Sequence, residues 1–432
     1  MSVPPRPRHR VWRNRPLATL ALSQIAAALS FYVPVSALFL TSRGLSFTEI
    51  FWLESVLLAS ILATEVPAGV WADRIDRRWA IMAGYGFNAA AEVLFAVGQH
   101  FAMFALSFAL SGIGLALLSG IEDAYVYESM GDGADEAAVG VFGHLSSLGI
   151  AAGVLAAVVG GGLATISIDL PAILSAVAAG LAAVIAWFLP ACAPDPAEHG
   201  DPTPIRQVGG ALRLIFRSPV LLYVSVAASA GFVLFNSVYT LNQPLFTAGA
   251  IPVSWWGSLV AAALLLAAVC NHFADLFEAR LGRAGALFLA TALGGIGFLL
   301  MSLPHPAATI AGFFLVIVGM NARGPVMGAI ANKLVDSRRR STVLSLMSTL
   351  GSLIGIAVNP VLGWGADISP TATSIGLGLV LLVLALTWLP VARKYLDNPS
   401  HANGTQDGAT EAHHAPSGER LAGSPPAPTD SD

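Results

Sequence analysis

Apolar residues in this chain gather into long runs broken by short polar stretches, and the runs recur from one end to the other. A helix needs about 20 mostly apolar residues to cross a bilayer. Runs of that kind cover residues 17–41, 47–71, 79–98, 101–125, 141–163, 169–190, 219–246, 254–275, 284–303, 307–331, 341–365 and 370–392. They predict an all-α membrane protein with twelve transmembrane helices. The first run follows an arginine-rich arm but exceeds the roughly 7–15 apolar residues of a cleavable signal, so it reads as a retained first helix. The expected domains are a basic arm over 1–16, a six-helix bundle over 17–190, a linker over 191–218, a second six-helix bundle over 219–392 and a disordered tail over 393–432. In the linker, Ile205, Val208, Leu212 and Ile215 share one face of a short amphipathic surface helix. The tail is rich in Pro, Gly, Ser, His and acid, a composition that cannot bury a core.

Composition removes the soluble alternative. Of the 432 residues, 55% are hydrophobic and 11% charged, where soluble domains carry about 25% charge. Lys and Arg also fall unevenly. All of the 22 except Arg43 and Arg323 lie in the arm, the even-numbered loops, the linker or the tail. Short basic loops stay in the cytoplasm, which predicts a multi-pass protein of the cell (inner) membrane with both termini cytoplasmic. Loop 4–5, with Glu128, Asp132, Asp135 and Glu136, is the acidic exception, and acids weigh little in this rule. The two cysteines, Cys192 and Cys270, are far apart and imply no disulfide framework. No metal-ligand spacing, nucleotide loop or Ser/His/Asp set appears, so neither a metal, a cofactor nor an enzyme activity is expected. The basic residues hug the membrane, which leaves no surface for nucleic acid.

The two halves repeat. At a shift of 202 residues, Asp73 falls on Asp275, Arg78 on Arg280, and Gly149, Gly153 and Gly161 on Gly351, Gly355 and Gly363. Two six-helix halves in the same orientation form a parallel repeat.

Loop 2–3 reads Gly69-Val-Trp-Ala-Asp73-Arg74-Ile-Asp-Arg77-Arg78. This resembles the signature Gly-x-x-x-Asp-Arg/Lys-x-Gly-Arg-Arg/Lys of the major facilitator superfamily, in the loop where that family carries it. Asp76 departs from the pattern, standing where the family has Gly. The stretches Glu65-Val-Pro67-Ala-Gly69 and Ser119-Gly120-Ile-Glu122-Asp123-Ala-Tyr125-Val-Tyr127 resemble a bacterial efflux-permease-like group within it. The resemblance implies the two-bundle fold and alternating access. It implies that Asp73 docks at the start of helix 11, whose free N–H groups attract a carboxylate, and closes the cytoplasmic side. Arg74, Arg77 and Arg78 would join ion pairs that break on opening, with Glu65 beside them in the gate network; plain membrane anchoring is the alternative for the arginines.

The resemblance also implies that helices 1, 4, 7 and 10 line the central cavity. Polar residues gather on those helices: Tyr32 on helix 1, Glu122 and Asp123 on helix 4, Asn236, Tyr239 and Gln243 on helix 7, Asn321 and Arg323 on helix 10. Ionisable groups inside apolar spans are costly and mark function by default. Asn236, Tyr239 and Gln243 follow i, i+3, i+7 and share a face, for cavity lining or for bonds between helices. Arg323 needs an anion, either a substrate group or Glu122 or Asp123 across the cavity. Removing water from a carboxyl group favours its neutral form, which makes Glu122 or Asp123 a candidate proton carrier. Glu65 and Glu92 lie on more peripheral helices, and Glu54 and Arg43 near the outer surface read as solvated. Drug–proton exchangers of this family carry an Arg in helix 4 and a Pro-rich pattern in helix 5; neither is present here. The expected function is proton-coupled export of a small, partly apolar compound such as a drug, natural product or siderophore, by a monomer in the lipid bilayer. The alternative is import of an anionic nutrient or metabolite held by Arg323.

Overall fold

The computed structural model describes residues 11–72, 75–131, 134–191, 219–334 and 340–395. Among the described residues, twelve helical spans are long and apolar enough to cross a membrane: Arg15–Ser42, Phe47–Glu65, Arg77–Val97, Phe101–Met130, Ala137–Ala164, Asp169–Ala186, Leu221–Ala248, Val253–His272, Leu276–Met301, Pro306–Met327, Ser345–Ile368 and Pro370–Pro390. They are numbered 1 to 12 in that order, and each falls on a run expected from the sequence. The end of the bundle where the described chain begins and ends, at residues 11 and 395, is called the near end, and the other the far end. The amphipathic helix at 205–216 and the tail beyond 395 lie outside the described residues.

Exposed apolar side chains such as Leu155, Val177, Leu181, Val184, Val383 and Leu386 cover the outside of the bundle. So large an apolar surface is costly in water and costs nothing against lipid tails. Inside, one apolar core gathers Leu17, Leu20, Ile81, Tyr85, Tyr125 and Val126 from the first six spans. Another is built largely from spans 7 to 10 around Phe246, Trp256, Phe298 and Phe313.

Spans 1, 4 and 7 are broken and span 9 is kinked at Gly282, where φ is 69°, none of which an apolar run can reveal. Span 1 leaves the α-helix after Ala28 and resumes at Ser36, with a 3-10 turn over Val33–Val35 between. Its freed Phe31 and Tyr32 N–H groups donate to Ser175 Oγ on span 6, at 2.8 and 3.3 Å. Span 4 breaks at Ser119 and Gly120, and Gly120 takes a φ of 74° that other residues avoid. Span 7 breaks at Ser237.

The first six spans meet the last six along two seams, span 5 against span 8 and span 2 against span 11. The repeated glycines mark both. A Cβ on Gly161 would sit 2.7 Å from Gly257 Cα, and one on Gly363 2.7 Å from Phe47 O. Small residues allow helices this close in a membrane. At the far end Asp367, ending span 11, accepts from the Phe47 and Thr48 N–H groups that open span 2, at 2.6 and 3.0 Å. Gln243 of span 7 accepts from Leu38 N at 2.8 Å and donates to Ser36 Oγ at 3.2 Å. Toward the near end the first seam loosens. A Cβ on Gly153 would have Leu264 at 3.6 Å, whereas one on Gly149, a turn further, would have nothing within 4 Å. The far end is closed, and the 5–8 seam parts toward the near end.

A side chain at Gly257 would collide with the Ala157 carbonyl and with Gly161 Cα at 2.9 Å. Gly257→Leu is therefore expected to open the far end, at a cost to the closed form of about 1–3 kcal/mol. Spin labels at Ile166 and Leu303, on far-end loops of the two halves, should move apart. An unchanged label distance would count against the seam as the closing contact.

Candidate transport cavity

A cavity of about 810 Å³ lies within the first six spans, walled by spans 1, 2, 3, 4 and 6. The break in span 4 builds its charged wall. The helix restarts at Ile121, which sets Glu122 and Asp123 in a first turn, where free N–H groups favour carboxylates. Glu122 is half-buried and accepts two hydrogen bonds from uncharged donors, Tyr85 Oη at 2.7 Å and Gln24 Nε2 at 2.9 Å. Asp123 is exposed, lines the same cavity, and also lines a neighbouring one of about 310 Å³ toward Phe142 and Ser146. Both acids reach the cavity, and only Glu122 is held.

Deeper, Tyr32 Oη donates to Glu92 Oε1 at 3.2 Å, while Glu92 Oε2 is shut from solvent without a hydrogen-bond partner. Tyr32 and Glu92 stand between the large cavity and a smaller one of about 240 Å³, whose walls include Glu54, Phe95, Phe108 and Tyr239. This corrects the sequence expectation for two acids. Glu92 is not peripheral, because span 3 presents it inward together with Tyr85. Glu54 is not simply solvated, because span 2 turns it toward Tyr32 and Glu92. Tyr85, Asn88 and Glu92 follow i, i+3, i+7, the same spacing read on span 7, so this face was visible in the sequence. Arg43, also expected to be solvated, bonds Asp169 at 2.6 Å and Gln99 at 3.0 Å.

The span 7 stripe separates into different tasks once the helix breaks at Ser237. Asn236 bonds its own helix at Phe232 O, 2.9 Å away. Tyr239 lines the smaller cavity, and Gln243 ties the halves together at the far end. Asn321 bonds Ile317 O of its own helix at 2.9 Å and accepts from Asn271 at 3.5 Å.

Arg323 departs most from expectation. It is 5% exposed, and its Nη2 donates to the Ala227 and Ala228 carbonyls of span 7 at 2.7 and 2.9 Å, not to Glu122 or Asp123. The guanidinium lies over Gly231, where a Cβ would come within 2.5 Å of Nη2. The missing side chain makes that room, and nothing in the sequence connects the two residues.

Around the signature loop, Asp73 and Arg74 lie outside the described residues. Asp76 caps span 3 by accepting from Arg78 N at 3.1 Å, which gives the departure from the signature a local use. Its carboxylate also pairs with Arg78 Nε at 3.2 Å, and Arg77 pairs with Glu128 at the end of span 4 at 2.9 Å. Glu65 and Gly69 are exposed. Among the described residues no group of three His, Cys, Asp or Glu is placed to hold a metal ion.

The family model described as Major Facilitator Superfamily matches residues 20–255. The chain is similar to Multidrug resistance protein 1 of Bacillus subtilis, at 24% identity over 345 residues, which cover 78% of this chain and 85% of that protein. Among solved structures it is similar to a mutant form of the nucleoside transporter NupG, with a TM-score of 0.75, 14% identity, and 86% and 98% of the two chains covered. A bacterial homologue of the human lysosomal transporter Spinster, inward-facing and unoccupied, matches with a TM-score of 0.70, 17% identity, and 90% and 99% covered.

Proposed function

The chain belongs to the major facilitator superfamily and is a multi-pass membrane transporter, and on that premise we propose that it exports a small, partly apolar compound in exchange for protons. Glu122 carries this reading. It stands in the cavity between the uncharged donors Tyr85 and Gln24, and a carboxyl group held by neutral partners can gain and lose a proton without breaking an ion pair. The mixed cavity wall, with Leu115 and Leu118 beside Ser119 and Asp123, suits an amphipathic solute. The multidrug relative adds weight to export. The termini face the cytoplasm of the cell that carries the protein in its inner membrane, so a closed far end makes this the inward-open state. Bundles over 17–190 and 219–392 rock against each other along their two seams, and the protein works as a monomer. Import of an anionic substrate rested on Arg323, and the bonds of Arg323 to span 7 take that support away.

The test uses everted membrane vesicles and a fluorescent apolar dye. Dye uptake driven by an imposed inward-acid gradient, and abolished by a protonophore, is the expected result. Uptake indifferent to the gradient overturns the coupling, and lower dye accumulation in cells lacking the gene overturns export.

The signature loop supplies the gate. Asp73→Asn is expected to slow turnover about tenfold or more, the loss of roughly one charge-assisted hydrogen bond, while dye binding stays near wild type. Turnover at the wild-type rate would remove the gating role.

A further inference from the structure

The pair Glu92 and Tyr32 has a geometry that cavity lining does not require. Tyr32 sits in the broken stretch of span 1, between the helix ending at Ala28 and the one starting at Ser36. The residues that follow it make the far-end closure. Gln243 Nε2 reaches Val33 O at 3.5 Å and Ser36 Oγ at 3.2 Å, and Gln243 Oε1 takes Leu38 N at 2.8 Å. The Tyr32 side chain points the other way and ends on Glu92 Oε1 at 3.2 Å, its ring tilted against Phe95 with centroids 4.4 Å apart. One short non-helical stretch thus joins a carboxyl group to the closing contact between the halves. Glu92 Oε2 is enclosed with no partner. A carboxylate there would have the single Tyr32 hydroxyl on Oε1 to balance it, and a proton on the partnerless Oε2 removes the charge. The titratable groups around the pair, from the elements walling the two cavities, are Glu54 of span 2 and Tyr239 of span 7 in the smaller one, and Tyr85, Glu122 and Asp123 in the larger. Spans 4 and 6 add Ser111 and Ser175 on this side.

We propose that Glu92 is a proton-operated gate, whose occupancy is passed through Tyr32 to the broken stretch of span 1 and so to the Gln243 latch at the far end. This rests on the proton-coupled reading above. A proton adds to Glu92 Oε2 while the far end is open, and the neutral carboxyl is then sealed behind Tyr32 as the latch forms. The O–H bond breaks toward the larger cavity once that cavity opens at the near end. The ionised carboxylate draws water and works against the sealed arrangement, which frees span 1 and releases Gln243. A substrate leaving through the far end thereby requires an empty Glu92, which is the order an exchanger needs.

The experiment uses full-length protein without Cys192 and Cys270, spin-labelled at Ile166 and Leu303 and reconstituted in lipid nanodiscs. Distances are recorded from acid to alkaline pH with no substrate and no gradient. Wild type should populate a longer far-end distance as pH rises. Glu92→Gln, which keeps the shape and cannot ionise, should hold the short distance throughout, with the long-distance population at alkaline pH reduced about tenfold or more. Tyr32→Phe keeps the ring and should lose most of the pH response, since the carboxyl is then untied from span 1. Gel filtration and the short distance itself report that both variants are folded. Glu92→Gln following pH as wild type does overturns the gate, and Tyr32→Phe doing so overturns the route. The dye assay separates this from the parent reading. Gradient-driven uptake that survives in Glu92→Gln leaves exchange standing and removes the gate. A pH-driven distance change without gradient-driven uptake leaves the gate and removes exchange.

Discussion

Glu122→Gln is expected to remove gradient-driven transport while leaving a folded protein that still binds dye. Gln matches the size of Glu: its carbonyl oxygen can accept from Gln24 Nε2 and its amide can donate to Tyr85 Oη, which now stand 2.9 and 2.7 Å from Glu122. What it cannot do is carry a proton. Loss of the group that carries the proton should lower the coupled rate by about 100-fold or more, equivalent to about 3 kcal/mol. Initial rates in vesicles with and without the gradient measure it. Dye counterflow, which needs no net proton movement, should survive in the variant. Wild-type gradient dependence in Glu122→Gln would move the coupling site elsewhere, to Asp123 or Glu92. Glu122→Asp should restore part of the rate, because the shortened acid still titrates but reaches Tyr85 poorly.

Arg323→Ala is expected to act on stability more than on substrate. The guanidinium is buried, bonded to two carbonyls of span 7, and fitted over Gly231. Truncation leaves a void and deletes two charge-assisted bonds, for about 2–5 kcal/mol together. The melting temperature in detergent should fall by several degrees, and the amount reaching the membrane should drop. Dye affinity of the surviving fraction should stay near wild type. Arg323→Lys should rescue only partly, since an ammonium can donate to the two carbonyls that Nη2 reaches but lacks the flat guanidinium that packs over Gly231. Gly231→Ala should reproduce the loss from the other side of the contact by pushing the guanidinium off its bed. A large fall in affinity with unchanged stability would return Arg323 to the substrate site.

Arg323 and Glu122 show where sequence reasoning stopped. Both are visible as ionisable groups in apolar spans expected to line one cavity; Glu122 reaches it, and Arg323 turns to span 7 instead. The facing of a residue depends on helix rotation and on breaks, and a chain of apolar residues with no alternation hides both. Gly120 at positive φ turned Glu122 to the cavity wall. The partner of Arg323 is a pair of backbone carbonyls, which carry no residue-specific signal at all. The face of Tyr85, Asn88 and Glu92 was legible by spacing alone; the expectation that span 3 is peripheral obscured it.

What the sequence determined by itself was the number of spans, the uneven placement of basic residues among the loops, the family and the glycine repeat. Each is a one-dimensional quantity: a length of apolar chain, a count of charges, a motif, a period. The repeated glycines even marked where the halves touch, because close helix approach demands small residues at particular positions. Tertiary structure alone decided which carboxyl group meets which donor, which end of the bundle is closed, and that Arg323 belongs to a helix contact. Those depend on distances between residues such as Tyr85 and Glu122, 37 positions apart, or Leu38 and Gln243, 205 apart, set by packing and by helix breaks that the apolar pattern runs straight through.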